Sequence, residues 1–439
     1  MAVSDGRTLT VVKDMGLVTN VFDERTLRAL SGSLAIGHTR YSTTGASCWE
    51  NAQPVYRAAG PVGFAVAHNG NLTNTGALAG LAGTSGVPAG SDSDLVAELL
   101  AEELSRNPSG GLVGALRTVL PWLEGAFSLV LLDEHCLVGV RDPHGFRPLC
   151  LGRLGEDGWV LASETPALDI VGARFVRELE PGEMVVVDED GPRSHRPFGS
   201  QHCASHLCVF ELVYFARPDA LLLGREVHGA RRRMGELLAQ EAPVEADLVM
   251  GVPDSGLPAA EGYALASGIP FGQGLVKNRY IGRTFIAPTP EARSLGVRRK
   301  LNPLRENVAG RRLIVVDDSV VRGTTQRALT RMLREAGARE VHLRISSPPY
   351  RWPCYFGIDT GRPEELLARR MPVEAMAAEL GADSLAFLSL EHLREAVGVP
   401  GADLCEGCLT GSYPAPIPPE GSGLDERCPL PLVGSRGNG

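Results

Sequence analysis

The chain has 439 residues, a net charge of −9, and 44% hydrophobic against 22% charged residues; this is a folded globular composition, too long for one ordinary core, so two domains are expected. The acidic balance excludes a general nucleic-acid binder, which needs a basic face to displace counterions from phosphates. The N-terminus MAVSDGRTLTVVKD lacks a signal-peptide core and no run is long and apolar enough to span a membrane, so a cytoplasmic protein is expected, with its nine cysteines as buried thiols or metal ligands rather than a disulfide framework.

Along residues 1–200 the pattern gives short β-like runs at Leu9–Val12, Gly63–Ala67, Phe127–Leu132 and Met184–Val187. Between them a helix is expected over Asp94–Leu104, capped by Ser91 or Asp92. Strands and helices mixed in this way predict a layered α+β domain. The polar stretch PRSHRPFGSQH, Pro192–His202, reads as a linker. From Cys208 onward the rhythm alternates: helix Arg225–Ala239, strand Asp247–Val252, helix Pro258–Ser267, strand Arg312–Val316, helix Gln326–Ala336, strand Val341–Ser346. That order predicts an α/β domain over 201–413 with ligands beyond the carboxyl ends of its strands. The Pro- and Gly-rich tail, 414–439, is expected to be disordered.

The most informative segment is LIVVDDSVVRGTT, Leu313–Thr325. A buried apolar strand runs straight into two adjacent carboxylates, Asp317 and Asp318, and a small-residue turn then opens a helix. Small residues let backbone N–H groups approach an anion, and the helix N-terminus adds its partial positive charge. The carboxylates are placed to hold ribose hydroxyls and Mg²⁺, a cation that prefers oxygen ligands and bound phosphates. A bare Asp-Asp pair is more often a solvated turn; the V-V-R-G-T-T that follows is what favours a site. DLVMGVPDSG, Asp247–Gly256, supplies a second small-residue loop at a strand end. Lys277–Leu304 is long, basic and weakly periodic, as lids often are.

LIVVDDSVVRGTT resembles the phosphoribosyl pyrophosphate (PRPP) signature of type I phosphoribosyltransferases. VPDS, KNRYIGRTFI, VVDDSVVRGTT and ISSPPYRWPCYFGIDT together resemble the glutamine phosphoribosylpyrophosphate amidotransferase family, and the likeness runs from Ser4 to about Pro414. It implies an enzyme that forms 5-phosphoribosylamine from PRPP and glutamine or ammonia, the first committed step of purine synthesis. It implies that Asp317 and Asp318 bind Mg²⁺ and the ribose, that Ser255 is a further metal contact, and that Arg322, Gly323, Thr324 and Thr325 hold the 5′-phosphate. A homo-oligomer inhibited by purine nucleotides is implied as well.

Cys405 and Cys408 form a C-x-x-C pair that on spacing alone fits zinc, a redox pair or no site. Some members of the family carry a 4Fe–4S cluster at the positions of Cys208, Cys354, Cys405 and Cys408, and all four thiols are present here. Zinc is the next expectation. Cys48, Cys136, Cys150, Cys203 and Cys428 read as packing or surface thiols.

HTRYSTTG from His38 and HNGN from His68 resemble the glutamine site of N-terminal-nucleophile amidotransferases. The resemblance assigns Arg40 to the glutamine α-carboxylate, Asp92 of SDSD to its α-amino group, and Asn69 with the N–H of Gly70 to an oxyanion hole. The family's nucleophile is an N-terminal cysteine whose own α-amine is the base. No cysteine precedes Cys48, which is internal, and MAVSDG matches the family after that nucleophile and its first strands. The expectation is therefore a truncated amidotransferase domain whose true start lies upstream, with glutaminase activity doubtful as written. The alternatives are an enzyme that uses free ammonia and, in another class, a PRPP-binding regulatory protein.

Overall fold

The computed structural model describes residues 1–40, 47–60, 62–82, 90–278, 300–358, 360 and 363–418. They fall into two compact units, one of Met1–Leu207 with Tyr355–Asp359 and Pro414–Gly439, the other of Cys208–Cys354 with Thr360–Tyr413.

The first unit begins with β1 (Ala2–Ser4), β2 (Leu9–Val11) and β3 (Leu34–Ile36), an antiparallel sheet with β1 in the middle. Its centre is an antiparallel six-stranded sheet of β4 (Val55–Ala59), β5 (Val62–Leu72), β6 (Gly125–Leu132), β7 (Leu137–Arg141), β11 (Met184–Asp188) and β12 (Gly191–His195), in the order β12-β11-β7-β6-β5-β4. A third sheet has β8 (Cys150–Leu154) between β10 (Arg174–Glu178) and β9 (Gly158–Ala162). The side-chain period of a strand decides which core each residue enters. Phe64 and Val66 of β5, Phe127, Leu129 and Leu131 of β6, and Met184 and Val186 of β11 join helices α1 (Asp92–Arg106) and α2 (Gly111–Val119) in one core. Their alternates Ala65, Ala67, Leu132, Val185 and Val187 meet Ala2, Ile36, Leu149 and Leu151 on the other face. Both faces of the sheet are thus covered, which is the expected layered α+β arrangement. Helix α1 starts where Ser91 accepts the Asp94 N–H at 3.2 Å.

The linker expectation fails in part. Gly191–His195 is strand β12, paired along its whole length with β11. The segment is polar because it is an edge strand, and an edge strand buries little.

In the second unit four parallel strands, β13 (Leu248–Gly251), β14 (Arg312–Asp317), β15 (Glu340–Ile345) and β16 (Ser384–Phe387), lie in that order. Leu313, Ile314, Val315 and Val316 are each 0% exposed, and burial of such side chains contributes about 1.5–3 kcal/mol apiece. Helix α5 (Thr324–Glu335) leaves β14 through Gly323, whose φ of +75° suits a residue without Cβ. It turns Ala328, Leu329, Met332 and Leu333 onto the sheet. Strand β16 went unread in the sequence, because its four residues are all only half-buried.

Most of the basic stretch read as a lid, 279–299, lies outside the described residues, as does 419–439 of the expected tail; Ala415, ahead of it, is buried.

Helices α3 (Val227–Glu241) and α4 (Leu257–Ser267) approach through two glycines. A Cβ on Gly262 would lie 1.9 Å from the Arg232 carbonyl oxygen, and one on Gly235 1.8 Å from that of Ala259. Helix propensity alone would make Gly262→Ala stabilising by about 1 kcal/mol. The backbone contact should reverse the sign and cost about 1–3 kcal/mol. A raised urea midpoint for Gly262→Ala would show that the helices are not held this close.

Candidate functional site

The carboxyl end of β14 delivers Asp317 and Asp318 to a shared, nearly closed position, 5% and 7% exposed. The Asp318 N–H donates to Asp317 Oδ1 at 3.0 Å. Asp318 also accepts hydroxyl donors, Ser319 Oγ on Oδ1 at 2.6 Å and Ser255 Oγ on Oδ2. Ser255 comes from the turn between β13 and α4, so the ends of two neighbouring parallel strands meet here. Burial, and then the charge of Asp318, pushes the Asp317 carboxyl well above its ordinary range; burial raises Asp318 as well, against its hydroxyl donors and the buried Arg231 guanidinium. Two carboxylates so placed favour a cation or hydroxyl donors as partners.

The turn Arg322–Thr325 follows directly, and Thr324 and Thr325 open α5. The first N–H groups of a helix have no partners within it, so this end is built to receive an anion. The Arg322 side chain is turned to Glu365, with Nε at 2.5 Å. The Arg322 guanidinium is thus engaged within the protein, and what the turn offers an anion is its backbone N–H groups. In the VPDS turn, Lys277 and Asp254 form an ion pair.

The four cysteines singled out by the family pattern lie together. Burial pushes the Cys408 thiol well above its usual value, and the thiols of Cys354, Cys208 and Cys405 push in the same direction. The Cys408 carbonyl accepts the N–H groups of Arg351 and Trp352 at 3.1 and 3.0 Å. The Cys354 N–H donates to Thr360 Oγ1 at 3.0 Å, which also bonds Tyr350 Oη at 2.7 Å. Glu406, buried between the paired cysteines, receives Arg394 Nε at 2.9 Å. Among the described residues no three His, Cys, Asp or Glu side chains close around a single ion. Cys48, read as a packing or surface thiol, is instead disulfide-bonded.

In the first unit, β5 carries His68, Asn69 and Gly70 in succession, with His68 buried and Asn69 exposed. A Cβ on Gly70 would lie 2.0 Å from the Ala126 carbonyl oxygen, and its φ is +151°. No other residue fits that approach. Asp92 opens α1 and accepts the N–H groups of Ser93 at 2.8 Å and Leu72 at 3.2 Å. Its Oδ2 also lies 3.4 Å from His68 Nδ1. Burial opposes a charge on His68, but attraction to Asp92 outweighs it and the imidazole pKa is raised. Asp92 remains depressed by that partner in spite of its own burial. Burial lowers Arg40, while Asp92 attracts it. Arg40 and Asp92 are therefore electrostatic neighbours, and His68 is a third member that the motif reading had not assigned.

The sequence reading also missed the support behind Gly70. Phe356 stacks on Phe146 with centroids 4.3 Å apart, Arg147 donates to the Gly357 carbonyl at 2.8 Å, and Asn71 Nδ2 donates to the Tyr355 carbonyl at 2.9 Å. Gly357 comes so close to Gly70 that an added Cβ would sit 3.3 Å from the Gly70 carbonyl carbon. Nothing local in the sequence signals a contact more than 280 residues apart.

The folds and sites define a class-II glutamine amidotransferase domain followed by a phosphoribosyltransferase domain. Residues 38–170 match the glutamine amidotransferase domain family and residues 224–346 the phosphoribosyl transferase domain family. The chain is 54% identical over 433 residues to the amidophosphoribosyltransferase of Mycobacterium tuberculosis, covering 96% of this chain and 81% of that protein. Against the Bacillus subtilis amidophosphoribosyltransferase it is 45% identical over 422 residues, covering 95% and 88%. The solved structure of the B. subtilis glutamine PRPP amidotransferase complexed with ADP and GMP superposes with a TM-score of 0.87 at 44% identity, over 97% of this chain and 92% of that one. The chain belongs to the amidophosphoribosyltransferase family.

His38 gives a pH test of the first site. Burial, and next the charge of His68, lowers its pKa to about 4 from the ordinary 6.5. A depressed folded-state value means that stability held above pH 6.5 is lost as the pH falls towards 4. His38→Asn should narrow the gap between denaturation midpoints at pH 7 and pH 5 by on the order of 1 kcal/mol. An unchanged gap would place the acid sensitivity elsewhere.

Proposed function

We propose that the chain forms 5-phosphoribosylamine from PRPP, with glutamine or ammonia as nitrogen source, as the first committed step of purine synthesis. The buried Asp317–Asp318 pair, at a parallel-strand end and directly before the Arg322–Thr325 turn, carries this reading. Asp317 and Asp318 bind the ribose hydroxyls; the backbone of Arg322, Gly323, Thr324 and Thr325 receives the 5′-phosphate. Ammonia then bonds to C1 as the C1–O bond to pyrophosphate breaks, and the added nitrogen loses a proton.

The donor set suits Mg²⁺, since two buried carboxylates and the Ser255 hydroxyl are hard oxygen ligands on adjacent strand ends. Mg²⁺ bound by Ser255, Asp317 and Asp318 would neutralise charge on the pyrophosphate leaving group. In the first unit Arg40 grips the glutamine α-carboxylate and Asp92 its α-amino group, while Asn69 and the Gly70 N–H face a developing oxyanion. Asp92 already pairs with His68, so His68 sets the direction in which it presents its carboxylate.

Cys208, Cys354, Cys405 and Cys408 suit a 4Fe–4S cluster, being four buried or half-buried thiols in one region. Such a cluster would tie three distant segments together. Purine nucleotides are expected as inhibitors, a homo-oligomer as the assembly and the cytoplasm as the location. No helix among the described residues is long and apolar enough to cross a membrane.

Asp317→Asn and Asp318→Asn should each lower ammonia-dependent kcat/KM about a hundredfold or more, the scale of losing a preorganised electrostatic contact. Near-normal turnover by both folded variants would sink the assignment. Anaerobically purified protein should be brown, with iron and sulfide in near-equal amounts. Cys354→Ser should lose colour and thermal stability together, because a centre joining distant segments is part of the folding free energy. Zinc without sulfide would refute the cluster.

A further inference from the structure

We infer that Gln326 is a positioning residue for the PRPP site, locking the Asp317 carboxylate to the phosphate-binding turn; this rests on the proposed roles of Asp317 and of Arg322–Thr325. Gln326 is the third residue of α5 and is 5% exposed. Its Nε2 donates to Asp317 Oδ2 and to the Ser319 carbonyl, both at 2.9 Å. An amide nitrogen has two hydrogens, and here each has an acceptor.

The two carboxylates are held from different directions. Asp318 is held by hydroxyls, one from the turn after β13 and one from Ser319 beside it. Asp317 takes a backbone N–H on Oδ1 and has Gln326 on Oδ2. Gln326 stands directly after Thr325, on the helix whose first turn faces the 5′-phosphate. One side chain therefore fixes the spacing between the group that holds the ribose hydroxyls and the group that holds the phosphate. PRPP spans both, and a misplacement of about 1 Å between binding groups can cost on the order of a hundredfold in rate.

Side-chain chemistry restricts what can serve here. Glutamate would set a third carboxylate against Asp317, and leucine would leave both Asp317 Oδ2 and the Ser319 carbonyl without this donor. Histidine keeps one N–H donor.

The test compares wild type with Gln326→Leu, Gln326→Met and Gln326→His. PRPP affinity is measured by calorimetry with Mg²⁺ present, alongside ammonia-dependent kinetics over a range of Mg²⁺ concentrations. Gln326→Leu and Gln326→Met should weaken PRPP binding about tenfold, raise KM for PRPP to match, and raise the Mg²⁺ concentration for half-maximal rate, leaving KM for ammonia unchanged. Gln326→His should recover part of the loss. Melting separates positioning from a structural role. The rise in Tm on adding PRPP with Mg²⁺ should shrink in the Leu and Met variants, whereas a structural residue would lower the ligand-free Tm and leave that rise intact. Wild-type affinity and Mg²⁺ requirement, within twofold, in either variant that folds would overturn the inference. Failure of wild type itself to bind PRPP would instead overturn the site on which it rests.

Discussion

The second unit depends on one juxtaposition, a wholly apolar strand that ends without transition in two carboxylates. Leu313–Val316 contact no solvent, so the chain cannot slide to bring Asp317 out to water without exposing the core of the parallel sheet. Two acids are therefore held where neither is readily ionised unless something compensates. Hydroxyls from Ser255 and Ser319, the Gln326 amide and the buried Arg231 charge supply part of that compensation. A ligand rich in hydroxyls and phosphates, arriving with a divalent cation, would supply the rest.

The first unit meets a different constraint. A sheet covered on both faces offers little room for a polar site, and the site sits where β5 runs past the start of α1. His68 is buried and Asn69 exposed, while the close approach of Gly70 to the Ala126 carbonyl leaves no room for a side chain there. His68 and Asp92 are worth most to each other because both are buried, where an unpaired charge is costly. The same pair leaves Asp92 with a fixed orientation towards Arg40's neighbourhood.

Around the thiols, hydrogen bonds hold the local backbone and, at Cys408, join it to the segment at Arg351 and Trp352. Thr360 ties Cys354 to Tyr350, two N–H groups grip the Cys408 carbonyl, and Arg394 neutralises the carboxylate between the paired cysteines. The Cys354 N–H and the Cys408 carbonyl are thereby held, and Glu406 sets no unpaired carboxylate beside the thiols.

The amino-acid sequence by itself determined what is local. A buried strand, a small-residue turn and a helix are contiguous in Leu313–Glu335, so apolar run, carboxylates and helix start could be read in order; the same holds for His68–Gly70 and for the Ser91 cap of α1. Two edge strands were the failures, β12 because it is polar and β16 because it is only half-buried, whereas β13, at an edge but wholly buried, was read. Tertiary structure alone decided the partners. Nothing near Asp92 in sequence announces His68, nothing near Gly70 announces Gly357, and the Arg231 charge acts on Asp318 only because helix and sheet pack together. Even Gln326, nine residues from Asp317, reads as an ordinary helix residue until the strand-to-helix turn folds it back. The physical reason is that pattern and propensity report how a segment buries its own side chains, whereas a hydrogen bond between segments is specified only when the core has fixed the distance between them.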